Sequence, residues 1–250
     1  MPIPTTIVIP CYNEAERLDV EAFHRYASAA RDLRFLMVDD GSTDRTACVL
    51  ESLRESAPEH FSVLSLERNS GKAEAVRCGL VEAFRSRVGY AGFWDADLAT
   101  PLETIDEFRE ILDNRPDLEV VFGSRVNLLG RSVRRNLARH YVGRVFATAV
   151  SAVLRLPIYD TQCGAKMFRA SDDIAAIFAD PFLSRWIFDV EIIARIHRSR
   201  RGKDAPQVRE ILYEHPLMSW YDVEGSKLKA RHFVTVGADL VRVFFKYTVR

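Results

Sequence analysis

The sequence predicts an α/β fold with a mostly parallel central sheet and helices on both faces. Three observations carry that expectation. Short apolar runs alternate with longer amphipathic, charged stretches through residues 1–119. Each run ends in turn chemistry, as strands do. Polar residues then collect just past the runs, reading Cys-Tyr-Asn-Glu, Asp-Asp-Gly-Ser and Asp-Ala-Asp. The carboxyl ends of strands are where an open parallel sheet binds its ligands. A chain of 250 residues suits one large α/β domain or two small ones.

In order, strands are expected at residues 5–10, 35–39, 61–66, 90–94 and 119–123. Helices are expected between them at 16–30, 43–55, 72–87 and 102–114, where charged and apolar residues mix at helical spacing. The second half reads as a long helix over 132–155, a strand over 163–168, a helix over 187–199, a strand over 208–215 and a terminal amphipathic helix over 229–248.

Lys+Arg and Asp+Glu both number 35, so the formal charge is zero. The total hides a division. Residues 1–119 carry 23 acids and 13 bases, and residues 120–250 carry 12 acids and 22 bases. Such asymmetry points to two different partners. No apolar run approaches the roughly 18–20 residues that span a bilayer. The chain enters a strand-like run at once, so no signal peptide is expected. Four cysteines without metal-type spacing read as thiols of a reducing compartment. A cytoplasmic protein is expected, peripherally associated with the membrane.

Asp95-Ala96-Asp97 follows the run 90–94. Carboxylates at i and i+2 past a strand end can share one hard divalent cation, Mg²⁺ or Mn²⁺, and bridge it to a diphosphate. The plainer alternative is a loop of solvated acids. Asp39 and Asp40 open Asp-Asp-Gly-Ser-Thr-Asp, where a carboxylate can take ribose or base hydrogen bonds and Ser42 or Thr43 can cap a helix. After the first strand, Pro10 stiffens the exit, Tyr12 offers a ring face, and Asn13 and Glu14 offer groups to a base edge; each fits an ordinary turn as well. Lys72 stands at a helix start, where the dipole disfavours a cation. Its position implies an anionic neighbour, either a nucleotide or an acidic side chain.

Residues 120–159 hold seven Arg and no acid. Arg131, Arg135 and Arg139 recur at i, i+4, i+8, which one helix would place on one face. Arg125 follows Gly123-Ser124 at a strand end and could join them. Bidentate guanidiniums suit phosphate, and the alternative is a solvated basic face. Nucleic acid is disfavoured, since aromatic interleaving is sparse and no RNA-binding signature occurs. In the tail, Phe233, Val236, Leu240, Val243 and Phe244 with nearby Lys and Arg fit an interfacial helix attracted to anionic lipid, or an ordinary docking helix. Asp160, Asp189 and Glu191 are carboxylates beside aromatic or apolar residues, where burial shifts pKa values. Structural and functional roles are equally open for them.

Together these segments resemble family 2 glycosyltransferases of the GT-A, Rossmann-like fold. Among these the chain is most similar to the polyprenyl-phosphate sugar transferases of the dolichyl-phosphate β-glucosyltransferase group. The resemblance spans about residues 5–230. It also draws on Asp160-Thr161-Gln162-Cys163-Gly164, Arg185-Trp186-x-Phe188-Asp189-Val190-Glu191 and Glu224-Gly225-Ser226-Lys227-Leu228.

The resemblance implies a transferase domain over 1–228, with a nucleotide-sugar half at 1–119 and an acceptor half at 120–228, followed by the helix at 229–250. Pro10, Tyr12, Asn13, Glu14, Asp39, Asp40, Lys72, Asp95, Ala96 and Ser226 would surround the nucleotide sugar. Asp95 and Asp97 would hold Mg²⁺ or Mn²⁺. Ser124, Arg125, Arg131, Arg135, Arg139 and Gln162 would meet the phosphate of a lipid acceptor at an anionic membrane surface. Lys227 would cover the diphosphate, and Asp189 and Glu191 would orient sugar or acceptor, or act as base. Where related mannosyl enzymes carry Gln, this chain has Ala99, as the glucosyl group does, which favours glucose; the resemblance also implies a UDP-linked donor. Two other functions fit the same motifs: transfer to a hydroxyl acceptor by a soluble enzyme, and non-catalytic nucleotide-sugar binding.

Overall fold

The computed structural model describes residues 3–134, 137–221 and 232–248, without the side chains of 134, 137–142 and 232–234. Its strands are β1 (Thr5–Cys11), β2 (Leu33–Asp39), β3 (Phe61–Ser65), β4 (Tyr90–Trp94), β5 (Val120–Ser124), β6 (Ser132–Arg134), β7 (Ala165–Arg169), β8 (Leu212–Pro216) and β9 (Ser219–Tyr221). Seven of them form one sheet in the order β3-β2-β1-β4-β7-β5-β8, while β6 and β9 pair separately. All pairings in the large sheet are parallel except those of β7, which runs antiparallel between β4 and β5. The strands β1, β4 and β5 are buried along almost their whole length. Burial on both faces is why they read as continuous apolar runs instead of alternating ones.

The helices are α1 (Val20–Ala29), α2 (Thr46–Ser56), α3 (Lys72–Arg85), α4 (Thr104–Asn114), α5 (Leu137–Leu154), α6 (Asp172–Ala176), α7 (Phe188–Arg200), α8 (Val208–Ile211) and α9 (His232–Val243). They cover both faces of the sheet over two buried apolar clusters. One contains Val8, Val38, Phe93 and Phe122, and the other Ile7, Phe35, Trp94 and Met167. Helix α1 starts later than its periodicity suggests because Asp19 is the cap, accepting a 2.9 Å bond from the Ala22 amide.

Three segments depart from the expected elements. Residues 132–155 are not one helix. Ser132–Arg134 is a strand parallel to Ser219–Tyr221, and the Ser132 amide donates to the Met218 carbonyl at 2.9 Å. Helix α5 begins at Leu137, so Arg131 lies outside it, while Arg135 and the side chain of Arg139 are outside the described residues. Residues 208–215 split into the turn α8 and strand β8, because the Gln207 amide is held by Glu210 Oε2 at 2.6 Å. The strand expected from 163 begins at Ala165. In the tail, Val236, Leu240, Val243 and Tyr247 pack on the core, so this stripe makes α9 a docking helix. Of the expected tail helix, residues 229–231 lie outside the described residues.

Glu191 fixes this packing. It is fully buried on α7 and accepts from the Leu183 amide at 2.7 Å, Arg195 Nη2 at 2.8 Å and the Tyr247 hydroxyl at 2.9 Å. Arg195 in turn donates to the carbonyls of Ile177, Asp180 and Pro181. Both Glu191 oxygens are therefore committed to three segments of the chain, and the residue does not join the site as a base or sugar-orienting group. Glu191→Ala strands a buried guanidinium and is expected to cost about 3–5 kcal/mol of folding free energy. Chemical denaturation checks this; an unchanged midpoint contradicts the structural role.

Candidate active site

The loops following β1 and β2 interlock. Asn13 adopts φ 52°, its Oδ1 accepts from the Thr43 amide at 2.9 Å, and its own amide donates to Ser42 Oγ at 3.1 Å. The Glu14 amide donates to Thr46 Oγ1 at 2.8 Å. Asp39 Oδ1 accepts from the Ser42 amide at 3.0 Å. Both oxygens of Asp40 are taken by the amides of Ser70 (2.7 Å) and Gly71 (2.8 Å). Asn13 and Asp40 thus use their side chains to build the loops, and the turn at Asn69-Ser70-Gly71 finds its anion inside the protein. Gly41 sits at φ 62°, and a Cβ there would strike the backbone of Arg68 and Asn69. Pro10 and Tyr12 are half-buried at the end of β1.

Asp95-Ala96-Asp97 leaves the end of β4, next to the strand pair β1–β2. The Asp95 amide donates to the Gly164 carbonyl at 3.0 Å, and the Asp95 carboxylate lies so close to Gly164 that no Cβ would fit there. The loop is held from the far side by a 3.3 Å bond from Trp94 Nε1 to the Thr100 carbonyl. Asp97 Oδ1 accepts from the Ala99 amide at 3.1 Å. Lys72 forms an ion pair with Asp95, which supplies the acidic neighbour that its place at a helix start implied. Burial alone would lower the Lys72 pKa, but Asp95, Asp189 and Asp97 outweigh it and the value is raised. Burial and the Asp95 charge push the Asp97 carboxyl above the ordinary range. Two carboxylates that act on each other in this way can share a cation.

Behind this pair lies Asp189, buried in the first turn of α7. Its Oδ1 meets Lys166 Nζ at 2.5 Å, and the same ammonium donates to the Cys163 carbonyl at 2.5 Å. Burial raises the Asp189 pKa, with Lys166 and Lys72 holding it back. Arg185 packs over Gly71 at the start of α3, with its charge felt by Asp40.

The donors available to a divalent cation are the oxygens of Asp95 and Asp97. Among the described residues no cluster of three His, Cys, Asp or Glu side chains is placed to bind one. The residues therefore fit a hard ion held by two carboxylates and completed by ligand oxygens, the arrangement that suits Mg²⁺ or Mn²⁺.

On the acceptor side the structure revises the role of Arg125. Its guanidinium forks onto Asp160, with Nε to Oδ2 at 2.6 Å and Nη2 to Oδ1 at 2.8 Å, and stacks on Trp220 with 5.3 Å to the ring centroid. Its fork is filled by a carboxylate too distant in sequence to be foreseen. Asp160 also accepts from the amides of Arg125 and Gln162 at 3.1 Å, tying the end of β5 to the segment before β7. Within that junction Ser124 Oγ, Thr161 Oγ1 and Gln162 Nε2 are buried without a hydrogen-bond partner among the described residues. Arg131 donates to the Pro216 carbonyl. Arg135, Ser226, Lys227 and the side chain of Arg139 lie outside the described residues.

The sequence profile of Glycosyl transferase family 2 matches residues 6–175. The chain belongs to that family. This glycosyltransferase is 31% identical over 257 residues to the dolichyl-phosphate beta-glucosyltransferase of Dictyostelium discoideum, covering 97% of the chain and 74% of the relative. Its fold is also that of glucosyl-3-phosphoglycerate synthase from Mycobacterium tuberculosis, solved with Mn²⁺, UDP-glucose and phosphoglyceric acid (TM-score 0.63, 17% identity, 97% of this chain and 80% of that one). A mannosyltransferase from Pyrobaculum calidifontis, solved with GDP-Man and Mn²⁺, shares it too (TM-score 0.62, 19% identity, 98% of this chain and 64% of that one). The GT-A fold expected from the motifs is thus found.

The roles of Lys166 and Gly164 emerge only in three dimensions. Gly164 generates a direct test. Gly164→Ala must displace the Asp95 carboxylate, a side-chain end that can swing away, so the fold should persist while the site loses its geometry. Turnover is expected to fall about a hundredfold with little change in Tm. Retained turnover would show that Asp95 needs no such contact.

Proposed function

We propose that this glycosyltransferase moves a hexose, glucose, from a UDP-linked sugar to the phosphate of a polyprenyl lipid at the membrane surface. The observation that carries the acceptor side is the set of buried, unpartnered donors at Ser124, Thr161 and Gln162. A buried polar atom without a partner calls for a ligand or water, and three donors on two segments joined by the Arg125–Asp160 contact suit the oxygens of an anion. They adjoin the Asp95 loop through Gly164. The Dictyostelium relative, whose name gives a dolichyl-phosphate acceptor and a glucosyl donor, supports the same choice.

In this reading Pro10, Tyr12, Glu14 and Asp39 face the nucleoside, and Lys72 with Asp95 and Asp97 receives the diphosphate. A divalent cation on Asp95 and Asp97 would neutralise the charge that develops on the leaving diphosphate. The acceptor oxygen attacks the anomeric carbon, the bond from that carbon to the diphosphate oxygen breaks, and the configuration inverts. A phosphate monoester has its second pKa near about 6 and is largely ionised at neutral pH. The nucleophile therefore needs no strong base, which agrees with the commitment of Glu191 to packing and of Asp189 to Lys166. What the protein must do is hold two anions together. Arg135 and Arg139 keep the phosphate-facing role suggested by their charge, Ser226 its place by the nucleotide sugar, and Lys227 that of a cover on the diphosphate.

Incubation with Mn²⁺, UDP-glucose and dolichyl or undecaprenyl phosphate, read by mass spectrometry, should yield the glycosylated lipid phosphate. Transfer only to hydroxyl acceptors would refute the assignment. Asp97→Asn should lower turnover on the order of a thousandfold, corresponding to the several kcal/mol that a cation contributes to charge stabilisation, with the Tm preserved. Gln162→Leu should raise the KM for the lipid phosphate about tenfold, the equivalent of one charge-assisted hydrogen bond, and leave the donor KM unchanged. Equal changes in both would remove Gln162 from the acceptor site.

A further inference from the structure

We infer that the loop between β5 and β6, together with the β8–β9 connection, forms the surface by which the protein enters an anionic bilayer. This inference rests on the lipid-phosphate acceptor proposed above and adds where the membrane is met. Four large apolar side chains are exposed here: Leu128 (45%), Leu129 (fully), Met218 (54%) and Tyr221 (47%). They belong to one unit. The Arg131 amide donates to the Leu128 carbonyl at 3.2 Å, the Ser132 amide to the Met218 carbonyl at 2.9 Å, and β6 pairs with β9. Gly130 follows Leu129 at φ 82°, and a Cβ there would meet nothing within 4 Å, so the turn projects into open space.

A tip bearing two leucines is costly in water and stable in the acyl boundary. Its surroundings select the lipid. Residues 120–159, the stretch of sequence that contains the tip, carry seven Arg and no acid, a composition that complements an anionic leaflet. The apolar tip also adjoins the reaction site. The Tyr221 amide donates to the Ala99 carbonyl at 3.3 Å, two residues past Asp97, and Trp220 stacks on Arg125 beside the unpartnered donors. An acceptor whose chain stays in the bilayer then needs to lift only its phosphate to reach Ser124 and Gln162. The tail is a poorer candidate for the same contact, since its apolar stripe is spent on the core, leaving Val241 and Phe245 exposed.

The test uses the whole chain with Leu128→Asp and Leu129→Asp combined, and Met218→Asp separately. Co-sedimentation with phosphatidylcholine vesicles containing phosphatidylglycerol measures binding without any substrate. The double variant should bind at least about tenfold more weakly than the parent. Parent binding should also fall as salt rises. Transfer to polyprenyl phosphate embedded in those vesicles should drop in parallel, whereas transfer to a short-chain, water-soluble prenyl phosphate should be unchanged. Vesicle binding of the double variant equal to the parent's overturns the inference. So does an equal loss with both acceptors, because the tip then serves catalysis or folding. Failure of the parent to use any prenyl phosphate refutes the proposed acceptor instead, and leaves the vesicle result to stand by itself.

Discussion

The site depends on a buried lysine in the middle of the sheet. Lys166 is fully buried on β7, flanked by Phe93 on β4 and Phe122 on β5 in the strand register, with its ammonium 5.2 and 4.8 Å from their ring centroids. A cation in such a place is stable only if it is paired and hydrogen-bonded. Asp189 and the Cys163 carbonyl meet that requirement. The consequence is geometric. The one antiparallel strand of the large sheet is joined to the first turn of α7, so the segment carrying Gly164 is fixed against the end of β4. Gly164 then determines where the Asp95 carboxylate rests. A charge pair within the core thereby sets the position of a pair of carboxylates at the surface.

From Lys166 outward the charges alternate: ammonium, Asp189, Lys72, Asp95. Asp97 ends the series, its pKa raised by burial and the Asp95 charge against the opposing pull of Lys72 and Arg17. The other acidic residues nearby are neutralised by backbone. Asp40 holds two amides of the turn before α3, and Asp39 one amide of its own loop. Motif residues that look alike in sequence divide accordingly: Asp40 spends both oxygens on the turn before α3, whereas Asp97 feels the charge of Asp95.

The architecture was legible because it rests on local signals. The five strands of the first half fall within two residues of their expected ends, since each is an apolar run closed by turn chemistry. Two of the departures come from long-range pairing. Ser132–Arg134 reads as helix by its neighbours, yet its backbone groups are taken by a strand some 85 residues later. Arg125 reads as a free guanidinium in a stretch without acids, yet Asp160 reaches it from the next segment. Glu191 reads as a site carboxylate because, like Asp189, it stands beside apolar residues in the motif that carries the resemblance. On a helix such neighbours point in different directions, and Glu191 faces Arg195 and Tyr247. Gly164 carried no sequence signal for its role, because the need for a missing Cβ is visible only once Asp95 is in place.

The locking of Arg125 changes how an acceptor phosphate is to be recognised. A free guanidinium beside the carboxylates of Asp95 and Asp97 would attract the donor diphosphate as strongly as the acceptor phosphate. Bound in a fork to Asp160, it contributes no net charge there and serves to hold two loops together. The junction then offers hydroxyls and an amide in place of a formal charge. Neutral donors in a buried site discriminate by position, since each is worth most when an oxygen stands at the right distance and costs free energy when it is left alone. Such a cradle favours the anion that fits between β5 and the segment before β7. In the proposed reading long-range attraction falls to the other arginines of residues 120–159, so that recognition and attraction are assigned to different residues.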